Sequence, residues 1–113
     1  MRHVLVVEDD ESYAYALARA LTASGLRVTV AHQGLDALEA DDRDPADLVL
    51  LDLRLPDMHG TDVALDLRSR RPQLPIVVLS GYAAEIGLVP ANLVLRKPVE
   101  PQTVPDMIRP LCP

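Results

Sequence analysis

Short apolar runs alternate along the chain with longer stretches that are apolar on one side only. Val4–Val7 (VLVV), Leu48–Leu51 (LVLL) and Ile76–Leu79 (IVVL) are continuous and rich in β-branched residues, which predicts strands buried on both faces. Val28 and Val30 alternate with polar neighbours, and Leu93–Leu95 is brief, as edge strands would be. Behind Asp10, a residue type suited to capping, Tyr13, Leu17 and Leu21 recur at helical spacing, and Gly25 closes that segment. Gly34–Ala40 predicts a short helix with Leu35 and Leu38 inward. Thr61–Arg71 predicts another, with Val63 and Leu67 inward, Arg68, Arg70 and Arg71 at the negative end of its dipole, and Pro72 as its stop. Glu100–Leu111 predicts a last helix made short or irregular by Pro101, Pro105 and Pro110.

This βαβα alternation predicts an α/β fold with a doubly wound, five-stranded parallel sheet. With strands one, three and four central, strands two and five at the edges, and right-handed crossovers, the strand order is 2-1-3-4-5. Such a sheet binds ligands beyond the carboxyl ends of its strands, at the switch point between strands one and three. Strand one runs directly into Glu8, Asp9, Asp10 and Glu11. Strand three ends at Asp52, strand four at Ser80 and Gly81, and Lys97-Pro98 follows strand five. Any one of these could be an ordinary turn residue; four polar strand ends converging on one edge are poorly explained that way. Crowded carboxylates at Glu8, Asp9 and Asp52 call for a cation. Hard oxygen ligands with room for phosphate oxygens favour Mg2+. Lys97 and Ser80 suit a phosphoryl group, and Asp52 suits a nucleophile toward phosphorus.

Composition narrows the picture. The 113 residues fit one domain, and 49 % apolar content excludes a disordered chain. A net charge of −6 disfavours direct nucleic-acid binding. No stretch approaches the ~18 apolar residues of a membrane span, and no signal peptide is apparent. Cys112 is the only cysteine, which excludes an intrachain disulfide and agrees with a cytoplasmic location. The basic residues are ten arginines and a single lysine, Lys97. His3, His32 and His59 lack metal-ligand spacing, and His59 suits a turn before Gly60.

The segments VLVVEDDE, LLDLRLPDMHG, VVLSGYA and LRKP, in this order, resemble the receiver domain of bacterial two-component response regulators over essentially the whole chain, 1–113. The resemblance implies a flavodoxin-like fold and a phosphoprotein rather than an enzyme with turnover. In it, Asp52 accepts a phosphoryl group from a phosphohistidine and assists its own phosphorylation and dephosphorylation. It further implies that Asp9 binds Mg2+ directly, Glu8 through water, and Arg54 through its carbonyl. Ser80 matches the switch hydroxyl and Lys97 the family's lysine. Implied partners are a histidine kinase or histidine phosphotransfer protein, an effector protein, and a second copy of the chain. With Met1 directly before strand one and an end at Pro113, the expectation is a stand-alone receiver.

The chain also departs from the family's pattern. Lys97 follows Ser80 by only 17 residues, with Gly87 and Pro90 between them, less than usual by about a helical turn, ~3.6 residues. The helix between strands four and five is therefore expected to be short, distorted or missing, as in compact receivers carrying Ser-Gly-Tyr after strand four. The switch aromatic of strand five is absent, with Val94 at its position, and Tyr82 either takes over as the moving aromatic or packs on the surface. The signal is expected to be read from the loop between Gly81 and Ala91, and Tyr82 and Arg54 are expected to slow hydrolysis of the aspartyl phosphate. Two other functions fit the pattern less well. A haloacid dehalogenase-type phosphohydrolase needs a second Asp two residues after its nucleophile, where Arg54 stands. A receiver-like binding module that takes no phosphate would not need the set of Glu8, Asp9, Asp52, Ser80 and Lys97.

Overall fold

A computed structural model describes residues 2–81 and 91–112 of the protein. The strands are β1 (His3–Val7), β2 (Arg27–Ala31), β3 (Leu48–Asp52), β4 (Ile76–Ser80) and β5 (Leu93–Arg96), and the helices between them are α1 (Glu11–Ala23), α2 (Gly34–Arg43) and α3 (Gly60–Arg70). All strand pairs are parallel and the order is β2-β1-β3-β4-β5, as the apolar pattern predicts. The C-terminal segment is broken as its prolines demand: a 3-10 turn at Pro101–Thr103, a short helix at Val104–Ile108, and a second 3-10 turn at Arg109–Leu111. The expected shortening of the helix between β4 and β5 lies outside the described residues.

Side-chain alternation sorts the strands into two cores. Leu5, Val7, Val49, Leu51, Ile76 and Val78 pack with Ala37 and Leu38 of α2 and Val63, Ala64 and Leu67 of α3. Val4, Val6, Leu48, Leu50, Val77 and Leu79 pack with Leu17 and Leu21 of α1 and with Val104 and Ile108 of the last helix. With both faces covered, β1, β3 and β4 are buried at every position, which is why their sequences are continuously apolar rather than alternating. α2 runs three residues beyond the predicted end and buries Gly34, Ala37, Leu38 and Asp41. Leu35 is off that i, i+3, i+4, i+7 stripe and is 60 % exposed, contrary to expectation. α1 ends at Ala23, and Gly25 follows with φ +95°, a left-handed conformation that glycine adopts without steric cost.

The loop from β3 to α3 is braced at several points. Gly60 donates its amide to the Leu53 carbonyl at 2.8 Å. His59 caps α3 by accepting from the Thr61 amide at 3.1 Å, the turn role its position suggested. A Cβ on Gly60 would lie 2.5 Å from both the Asp52 carbonyl oxygen and the Leu53 Cα. Those are backbone atoms at the buried end of β3 and in the residue just beyond it, and they cannot step aside. Gly60→Ala should therefore destabilise the fold by about 1–3 kcal/mol, read as a lowered urea midpoint at unchanged m-value.

Candidate functional site

Strand parity decides which groups can meet. Val4 and Val6, Leu48 and Leu50, and Leu93 and Leu95 face α1. Continuing each alternation carries Glu8, Asp52 and Lys97 to that same side. The register places Val7 opposite Leu51, so the next step sets Glu8 beside Asp52. Ser80 pairs with Arg96, and the next amide, that of Lys97, donates to the Ser80 carbonyl at 2.8 Å. Ser80 itself has the opposite parity and is 2 % exposed at the end of β4. Val94 shares that side, half-buried against the α2–α3 core.

The side chains converge accordingly. Lys97 Nζ donates to Glu8 Oε1 at 2.7 Å and to Asp52 Oδ2 at 3.2 Å. The other Asp52 oxygen, Oδ1, accepts from the Arg54 amide at 3.1 Å. Glu8, Asp9 and Asp52 each offer a carboxylate oxygen, all within 4.8 Å of one another. Glu8 and Asp52 are buried while Asp9 is exposed. Asp10 is turned to another task, accepting from the Tyr13 amide at 3.1 Å as the cap of α1.

Charge balance in this cleft is strained. Burial, then the hydrogen bond with Asp52, pushes the Glu8 carboxyl up to about 7, and Lys97 only partly offsets this. Burial acts to lower the Lys97 pKa, but Glu8 and Asp52 outweigh it and hold the ammonium above its ordinary value. The site is thus two carboxylates and a third at the rim facing one firmly charged lysine. Three hard oxygen donors in that reach, with net negative charge, fit a divalent cation such as Mg2+.

A family model described as the response regulator receiver domain matches residues 4–109. The chain belongs to this family. Receivers bind Mg2+ through acidic residues, and the acidic cluster here is Glu8, Asp9 and Asp52. Among curated relatives, the chain is 46 % identical over 89 residues to the sensory transduction protein RegX3 of Mycobacterium bovis, covering 79 % of this chain and 39 % of that protein. It is 35 % identical over 80 residues to the DNA-binding transcriptional regulator NtrC of Escherichia coli K12, covering 71 % of this chain and 17 % of that one. The chain therefore spans well under half the length of these relatives. Among solved structures, the Vibrio cholerae chemotaxis protein CheY4 superposes with a TM-score of 0.90 at 25 % identity, covering 98 % of each chain. A putative response regulator from Chloroflexus aurantiacus gives 0.91 at 27 %, covering 98 % of this chain and 97 % of the other.

Two parts of the receiver site go beyond the sequence reading. Tyr13, read there as a core helical position, is half-buried and holds its ring 5.2 Å from Lys97 Nζ. The other is Asp57, whose carboxylate accepts from the amides of Gly34 at 2.8 Å and Leu35 at 3.0 Å. Those two bonds hold the Asp57 carboxyl below the usual range, and they tie the loop after Asp52 to the start of α2. A signal for it was present: Gln33, at the cap position of α2, makes no side-chain capping bond, so the helix's first amides need an acceptor from elsewhere. Tyr82, and the loop reading between Gly81 and Ala91, fall on residues 82–90 and lie outside the described residues.

The raised Glu8 pKa makes the cation-free receiver pH-sensitive. The folded state retains a proton at Glu8 between the ordinary value of 4.5 and about 7. Stability from this group is therefore full below pH 4.5 and falls as pH rises through about 7. In EDTA, urea unfolding across that window should show the decline, and Glu8→Gln should flatten it and leave the variant the more stable protein at pH 8.

Proposed function

We propose that this receiver accepts a phosphoryl group on Asp52 and signals by protein contact or by passing the group onward. The observation that carries this reading is the convergence of Asp52, Glu8 and Lys97, with Asp9 at the rim, from strand ends far apart in sequence. Glu8, Asp9, Asp52 and the Arg54 carbonyl would hold Mg2+, which when bound supplies positive charge against the oxygens of the transferring group. Asp52 keeps one oxygen on Lys97 and the other on the Arg54 amide, so its carboxylate is oriented before a donor arrives.

The donor in this reading is the phosphohistidine of a histidine kinase or a histidine phosphotransfer protein. An Asp52 oxygen bonds phosphorus as the P–N bond breaks. The electron pair stays on the imidazole nitrogen, and a ring protonated on its other nitrogen leaves neutral. Lys97 moves part of its charge from the carboxylates to the phosphoryl oxygens, and the Ser80 hydroxyl donates to one of them. The net effect on the chain is one stoichiometric label, not turnover. Ser80, with Tyr82 and Val94, forms the proposed switch, and a cytoplasmic setting suits such donors.

Incubation with phosphoramidate and Mg2+ should give one label per chain by intact mass. Asp52→Asn should abolish it, and chelation with EDTA should do the same. Lys97→Met should slow labelling about 100-fold, and Lys97→Arg should stay below wild type, because a planar guanidinium does not reproduce a compact ammonium donor. Label persisting on Asp52→Asn would assign the acceptor elsewhere. A wild-type chain that takes no label would leave a phosphate-independent binding module.

A further inference from the structure

The contacts around the one lysine lead to an inference that rests on the reading of Asp52 and Lys97 just given: we infer that Tyr13 is a positioning residue, whose ring holds the Lys97 ammonium over the carboxylates while leaving its hydrogen-bond donors to them. Two of the three Nζ donors go to Glu8 and Asp52. On another side lies the Tyr13 ring, with its centroid 5.2 Å from Nζ, inside the ~6 Å reach of a cation–π contact. A ring face attracts the charge as a whole and occupies none of the N–H groups. An oxygen ligand at the same place would take a donor that a phosphoryl oxygen needs.

The ring is itself held. The Tyr13 hydroxyl donates to the Val99 carbonyl at 2.7 Å, two residues beyond Lys97. The Tyr13 amide donates to the cap residue Asp10 at 3.1 Å. Lys97 is fixed from its other side by its backbone amide, which donates a hydrogen bond to the Ser80 carbonyl. The segment carrying the lysine is thus pinned before and after it, and Tyr13 supplies both the second pin and the ring. Beside them opens a cavity of about 330 Å³ lined by Asp10, Tyr13, Lys97 and Pro98. Removing the ring would enlarge that space and let water solvate the ammonium away from Asp52.

Because the chain has one lysine, selective 13C labelling of lysine gives one set of side-chain NMR signals, and these belong to Lys97. In the wild-type protein the Lys97 ε-proton signals should lie upfield of an unstructured lysine, shifted by the ring current of Tyr13. Tyr13→Phe should keep the shift and label from phosphoramidate within about threefold of wild type, having lost only one hydrogen bond. Tyr13→Leu should lose the shift and label roughly 5- to 30-fold more slowly, with Tyr13→Met as the ring-free alternative should the leucine variant fold poorly. Unshifted wild-type signals, or ring-free variants labelling at the wild-type rate, would overturn the inference. Should wild type take no label, the phosphoacceptor reading fails by itself. The NMR shift then decides alone: an upfield shift in wild type that Tyr13→Phe keeps supports the ammonium held against the Tyr13 ring, and an unshifted wild type, or a shift retained in the ring-free variants, overturns it.

Discussion

Two carboxylates buried side by side with one ammonium set the terms for the rest of the molecule. Glu8 and Asp52 are 0 % and 6 % exposed, and like charges removed from water at that distance oppose folding. Lys97, bonded to both, offsets this only in part: burial first, and Asp52 after it, hold the Glu8 carboxyl above its ordinary value. Such a cluster persists only where the surrounding structure is rigid enough to hold it. The three strands that supply its neighbours are buried at every position. The loop beyond Asp52 is clamped by Gly60 on Leu53, by His59 on α3 and by Asp57 on α2.

The far end of β4 and β5 is held differently, by neutral and arginine-based bonds. Asn92 accepts from the Ile76 amide at 2.9 Å and from Arg68 at 2.8 Å, and its own amide donates to the Ile76 carbonyl at 2.8 Å. Arg71 binds the buried Asp41 at 2.5 Å and the Ala46 carbonyl at 2.6 Å. These contacts fix the amino ends of the strands without reference to the charge at Asp52. The carboxyl ends depend on it through Lys97. One end of the sheet is thus tied by amide and arginine-centred bonds, and the other is where added charge changes the balance.

Much of this was legible in the sequence because burial on both faces leaves a strong trace. VLVV, LVLL and IVVL, short, β-branched and apolar throughout, read as central strands, and with right-handed crossovers they lead to the strand order. The polar residue closing each run then marked the site. What escaped were contacts whose partners are set by tertiary placement. Leu35 and Leu38 are three apart and suggest a shared inward face, but the buried stripe of α2 is set by what packs on it and runs through Gly34, Ala37, Leu38 and Asp41, which leaves Leu35 on the exposed side. Asp57 leaves no local signal within LPDMHG because its partners, the amides of α2, lie over twenty residues away. Tyr13 fitted a helical apolar pattern equally well as a core residue. Only strand parity, carried past Leu95 to Lys97, shows that α1 overlooks the lysine.

Stability alone would not produce this arrangement. Everywhere else along β1 and β3 the buried positions are apolar, apart from His3, whose ring nitrogens meet Thr29 Oγ1 at 2.7 Å and the Pro45 carbonyl at 3.2 Å. Replacing the Glu8–Lys97–Asp52 cluster by well-packed apolar side chains would be expected to leave the fold as stable or more so, since buried ion pairs rarely recover their desolvation cost. The sheet instead ends two central strands in charge and aligns them by register, so that one lysine must serve both. A core that strong in apolar contacts can carry that cost, and the excess of carboxylate over ammonium at Glu8, Asp9 and Asp52 is a charge pattern that suits a cation.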